Sequence, residues 1–223
     1  WLWRLLAGPA GRLLVDYLGD VVAYTATDRR DGEHDVRAAI LAGAVERLLT
    51  LLADERVGGL TVCGHSLGSV IAYDALNRLV LLAQDDPVLA ARLGKVRGLV
   101  TFGSPLDVIA LHFRERSQPG QWLRRQILAH HHGLRARPLD LGAVPVRVAD
   151  PVHRLLDGRL RWHNWWDRND PVSGPLDFYA VDANREGDLA RLGRAGRWGL
   201  AHTAWWDYPP LYDDLLALLA RPE

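Results

Sequence analysis

Gly59-Leu60-Thr61-Val62-Cys63-Gly64-His65-Ser66-Leu67-Gly68-Ser69 passes from one kind of local structure to another within a few residues. Leu60 to Cys63 is apolar and β-prone, as a buried strand would be. From Val70 onward, Ile71, Tyr73, Leu76 and Leu79 recur at helical spacing. Ser66 stands between the two, with a glycine two residues to each side. Strand, sharp turn and helix with serine at the apex lift the hydroxyl clear of the sheet on strained backbone. The flanking glycines are expected because a Cβ at 64 or 68 would clash with a neighbouring strand or helix. The Leu67 N–H, at the helix start, would face the place where negative charge develops on an attacked carbonyl. The plainer reading of the same residues is a tight turn in which Ser66 caps the helix by accepting a backbone N–H.

In this setting Gly64-His65-Ser66-Leu67-Gly68 resembles the nucleophile turn of lipase-like serine esterases of the α/β-hydrolase fold. The resemblance runs from about Asp20 to Leu219. It implies an α/β architecture, with a mostly parallel central sheet flanked by helices. It implies cleavage of a small ester or lipid through an acyl-enzyme, with no cofactor and no metal. The rival expectation is a catalytically impaired binding or regulatory domain on the same architecture.

The chain has 223 residues, enough for one domain with a sizeable core. Its 27 basic residues balance 27 acidic ones, so no global field favours nucleic acid or an acidic membrane. One cysteine, Cys63, leaves no disulfide framework; it reads as a small core residue and favours a cytoplasmic setting. There is no run of about 20 apolar residues to span a bilayer. The chain opens Trp1-Leu2-Trp3 and contains no methionine, which reads as a single domain, residues 1–223, cut from something longer and truncated at its N-terminal side.

Upstream of the serine, residues 1–18 form an amphipathic, partly basic segment broken at Gly8-Pro9. It reads as a helix packed on the sheet, with a lipid-facing or domain-facing role as the alternative. Val21 to Thr25 reads as a short strand or a helix tail. Asp35 to Asp54 is a helix, with Val36, Ile40, Val45, Leu48, Leu49 and Leu52 on one side. Downstream, Asp86-Pro87 starts a short helix to Leu93. Gly98 to Phe102 is a buried strand ending in Gly103-Ser104-Pro105, a pattern similar to the next strand end in lipase-like proteins. Ser104 is a weak rival nucleophile, because Pro105 prevents a regular helix from following directly. Residues 107–150 are placed by analogy as a lid or substrate-binding insert. The run His130-His131-His132 is read as exposed and polar, because neighbouring helical side chains diverge by about 100° and cannot share one metal. Arg159 to Trp166 alternates and is a strand, and Leu176 to Ala180 a further extended piece. Asp182 to Arg197 reads as a polar, glycine-punctuated segment, and Pro210 to Ala220 as the last helix.

A serine near neutral pH needs a base, and the base needs an acid to hold its tautomer. The resemblance implies the chain order serine, acid, histidine. Asp170, in Asp170-Pro171-Val172-Ser173, resembles the Asp-x-Val-Pro pattern that carries the acid in lipases; Asp167 is the rival, and both are also ordinary turn residues. Of nine histidines only His202 follows Asp170. It begins His202-Thr203-Ala204-Trp205-Trp206, similar to the His-x-x-Tyr/Trp-Trp of lipase-like proteins. His65 is expected to leave the turn in another direction and to support the site. One part is missing: no strand ending in His-Gly precedes Ser66 to provide a second oxyanion donor.

Overall fold

The computed structural model describes residues 32–109, 139–140, 145–146, 156, 159–177, 179–193 and 200–220. The expectations for residues 1–31, for most of 107–150 and for the histidine run lie outside the described residues.

Helix α1 (Gly32–Ala53) leads to strand β1 (Leu60–His65), helix α2 (Leu67–Leu82), helix α3 (Pro87–Arg92) and strand β2 (Val96–Phe102). Two short strands, β3 (Leu139–Asp140) and β4 (Pro145–Val146), pair with each other. Strands β5 (Arg161–Trp166) and β6 (Ala183–Glu186) follow, then the single turn of helix α4 (Ala201–Ala204) and helix α5 (Pro209–Leu219). The main sheet has the order β1-β2-β5-β6, and all its pairs are parallel. Among the described residues no helix is long and apolar enough to cross a membrane.

Parallel strands need crossovers, so helices come to cover both sheet faces, and the strands read as apolar runs. Period-two alternation sorts the side chains. Leu99 and Trp162 join the core with Tyr73, Leu76 and Leu79 of α2 and Val45, Leu48 and Leu52 of α1. Val100, Phe102 and Trp165 face the other way, into a core completed by Trp205, Tyr208, Leu211 and Leu218. Helix α3 starts as its sequence directs: Asp86 accepts from the N–H groups of Val88 and Leu89, both at 2.9 Å, with proline in the first turn.

Three expectations are corrected. The described residues of 176–180 form no strand; the fourth strand of the described sheet is Ala183–Glu186, within the segment read as polar and glycine-punctuated. It is an edge strand of the described sheet, and its exposed side chains carry no apolar period. Its place depends on long-range polar pairing instead. The Asn164 amide donates to Asn184 Oδ1 at 2.9 Å, and the Thr101 hydroxyl donates to Asn164 Oδ1 at 2.9 Å. Cys63 is exposed rather than part of the core, because β1 is an outer strand of the described sheet.

Helix α5 is fastened to the sheet by a partly buried carboxylate. Asp214 accepts from His163 Nδ1 at 2.9 Å and from Trp165 Nε1 at 2.9 Å, and pairs with Arg185 at 3.2 Å. Removing it leaves two buried donors unsatisfied, each costing about 1–3 kcal/mol. Asp214→Ala is therefore expected to lower unfolding free energy by roughly 2–4 kcal/mol. A urea titration showing a loss below about 1 kcal/mol would mean that water replaces the carboxylate at little cost.

Candidate active site

Ser66 has φ 56° and ψ −133°, and is the only non-glycine residue with positive φ among the described residues. The conformation is set from both sides. The Ser66 N–H donates to the Phe102 carbonyl at 3.1 Å, and Ser69 N–H donates back to the Ser66 carbonyl at 3.0 Å. Gly64 is required, because a Cβ there would lie 2.5 Å from Ser69 Cα and 2.6 Å from the Gly68 carbonyl oxygen. Gly68 is not required in this way: a Cβ there would meet nothing within 4 Å, so the expectation of two steric glycines holds for one. The capping reading also fails, since the Ser66 side chain makes no cap hydrogen bond to α2.

The hydroxyl turns instead toward His202, whose Nε2 lies 2.8 Å from Ser66 Oγ. His202 Nδ1 lies 3.0 Å and 3.1 Å from the two oxygens of Asp170. The acid beyond Nδ1 fixes the tautomer. Nδ1–H donates to the carboxylate, and Nε2 keeps a lone pair toward the serine hydroxyl. The Asp170 side chain is fully buried. It also accepts Trp205 Nε1–H at 2.8 Å and the Val172 N–H at 3.0 Å. Burial by itself works against its charge. The His202 hydrogen bond, the charge that ring carries when protonated, and the Trp205 and Val172 donors outweigh that and hold the carboxyl below its ordinary range.

The rivals have other duties. Asp167 accepts from the N–H groups of Asn169 and Leu189, both at 2.7 Å, and so shapes the loop after β5. Ser104 is buried; its hydroxyl bonds Ser69 Oγ at 2.7 Å and accepts the Leu106 N–H. Leu67 opens α2, so its N–H is among the first-turn donors that lack an intrahelical acceptor. Among the described residues β1 has no neighbour on its outer side, so the place expected for a second oxyanion donor falls outside them. Also among the described residues, no group of three or more His, Cys, Asp or Glu side chains is arranged to hold a metal.

Three contacts were not readable from the chain. Trp205 supports Asp170, although its place three residues after His202 was a signal for it. Gly103, at φ 59°, is hemmed in: a Cβ would stand 3.1 Å from the His65 ring and 3.2 Å from Asp170 Oδ2. His65 Nε2–H donates to the His202 carbonyl oxygen at 2.8 Å. Its ring stacks on Phe102 and meets the edge of Trp206. Burial, then the neighbouring His202, pushes the His65 imidazole down to about 4.

No protein-family model, curated protein or solved structure matches the chain.

The His65 shift has a sign. Unfolded chains take up a proton at this residue near pH 6.5, and the folded protein does so only near 4. More protons bind the unfolded state in that window, so stability falls as pH drops from about 6.5 toward 4. Chemical denaturation across that range is expected to show the decline, and His65→Gln to flatten its upper part. An unchanged profile in the variant would place the sensitivity elsewhere.

Proposed function

We propose that this chain is a serine hydrolase of the α/β-hydrolase type, cleaving carboxylic esters of small or lipid alcohols through an acyl-enzyme. The observation that carries this reading is the unbroken relay from Ser66 Oγ through His202 to Asp170, set on a serine with positive φ. A strained, non-capping serine bonded to a histidine that is in turn bonded to a buried carboxylate has the parts that nucleophilic acyl transfer needs.

The chemistry follows from the tautomer. Ser66 Oγ attacks the ester carbonyl carbon as His202 Nε2 takes the hydroxyl proton. The carbonyl oxygen becomes an oxyanion facing the Leu67 N–H at the start of α2. Asp170 stabilises the imidazolium that forms. Collapse of the tetrahedral species breaks the bond to the alcohol oxygen, which leaves with the proton from His202 Nε2. Water then attacks the acyl-Ser66 ester, with His202 again acting as base, and releases the acid. The four-stranded parallel sheet with helices on both faces is compatible with this fold type.

A fluorophosphonate probe tests the reading. It is expected to add one covalent mass to Ser66, with none in Ser66→Ala. Hydrolysis of an activated ester is expected to fall at least about 10³-fold in His202→Ala and in Asp170→Asn. Absence of the Ser66 adduct in the intact protein would defeat the reading and favour a binding or regulatory role for the same architecture.

A further inference from the structure

His65 precedes Ser66, yet its side chain serves the residue opposite. We propose that His65 is the positioning residue for His202: one imidazole ties the strand that carries the serine to the backbone of the base. This rests on the acyl-transfer reading above and adds to it how the distance between nucleophile and base is held.

Four observations converge. First, His65 Nε2 stands 2.8 Å from the His202 carbonyl oxygen. A carbonyl only accepts, so the His65 nitrogen donates, and its Nδ1 carries no proton when the ring is neutral. Second, the ring has little room to turn. It stacks on Phe102 at 5.1 Å between centroids, lies against the His202 ring at 4.8 Å and meets Trp206 edge-on at 5.5 Å. Gly103 leaves the space that the His65 ring fills, since a Cβ there would sit 3.1 Å from it. Third, α4 is only four residues long and has no side-chain cap. So short a helix holds its own orientation poorly. Fourth, Ser66 and His202 are 136 positions apart along the chain, and nothing local sets their separation.

The type of residue matters. A lysine or arginine at 65 would bring a permanent positive charge beside the base, where proton uptake must occur during the reaction. A neutral imidazole gives a directed donor and a flat packing surface without that charge. Its ring also carries the hydrogen bond across to the loop of the base, which a shorter side chain would not span. A misplacement of about 1 Å between reacting groups costs about 10²-fold in rate, so a backbone anchor at the base is consequential even though it touches no substrate.

The test compares His65→Ala and His65→Gln with the parent chain, with Ser66→Ala as the blank. His65→Ala is expected to lower kcat about 10- to 100-fold while KM stays within about twofold. His65→Gln keeps an amide donor and is expected to recover most of the loss. A second readout does not depend on turnover: the downfield proton resonance of His202 Nδ1–H bonded to Asp170 should broaden or shift in His65→Ala and return in His65→Gln. If the parent labels at Ser66 and His65→Ala labels at the same rate with the resonance unchanged, the positioning role is overturned. Loss of activity in His65→Ala that His65→Gln fails to recover, with the resonance unmoved, also overturns it. If the parent itself does not label, the hydrolase reading fails; the resonance then still decides whether His65 holds His202.

Discussion

A serine at φ 56° sits where side chains other than glycine are strained, at a cost of about 1–3 kcal/mol. Such a conformation persists only when the surroundings over-determine it. Here β1 must end in register with β2, so that the Ser66 N–H reaches the Phe102 carbonyl. Helix α2 must begin at once, so that Ser69 bonds back to the Ser66 carbonyl. The two elements approach so closely that position 64 has no space for a Cβ. The sheet register, the helix start and the absent side chain at 64 are one steric solution, and its product is a hydroxyl held away from the sheet.

The partners of that hydroxyl come from the other end of the chain. Asp170 lies past the end of β5, and His202 is held on α4, between β6 and α5. Parallel pairing brings the ends of β1, β2 and β5 to one edge of the sheet. Loops after neighbouring parallel strands then meet without any long detour, as in other α/β sheets. Helix α5 secures the arrangement from below through Asp214, which binds His163 and Trp165 of β5. Asp170 and Asp214 share a design: each carboxylate, the first buried and the second partly so, accepts one imidazole Nδ1–H and one indole Nε1–H. Buried charge is tolerated when every lone pair facing the core has a donor. One such pair faces a serine hydroxyl and the other fastens a helix to the sheet.

His65 shows how little separates a structural from a chemical contribution. It is one residue from Ser66 and bonds the His202 backbone, but does not reach the hydroxyl. Burial, then the adjacent His202, pushes its imidazole down, so it ties β1 to α4 without adding a charge beside Asp170.

The sequence alone determined the local grammar. Leu60 to Leu79 read as strand, turn and helix because apolar period and glycine spacing are local properties. Asp86-Pro87 read as a helix start because capping acts within a few residues. The order of Ser66, Asp170 and His202 was likewise legible, through a family resemblance and not through any spacing rule. The tertiary structure decided the rest. Strand Ala183–Glu186 was invisible because a solvent-facing edge strand has no apolar alternation, and only its pairing with β5 defines it. Asp170 over Asp167 was decided by where a loop points, and both are aspartates in the same turn. Gly64 proved sterically necessary and Gly68 not, because the difference lies in which backbone stands nearby in space. Local order follows from neighbours along the chain, whereas a site built from residues 66, 170 and 202 exists only once the sheet has set their distances.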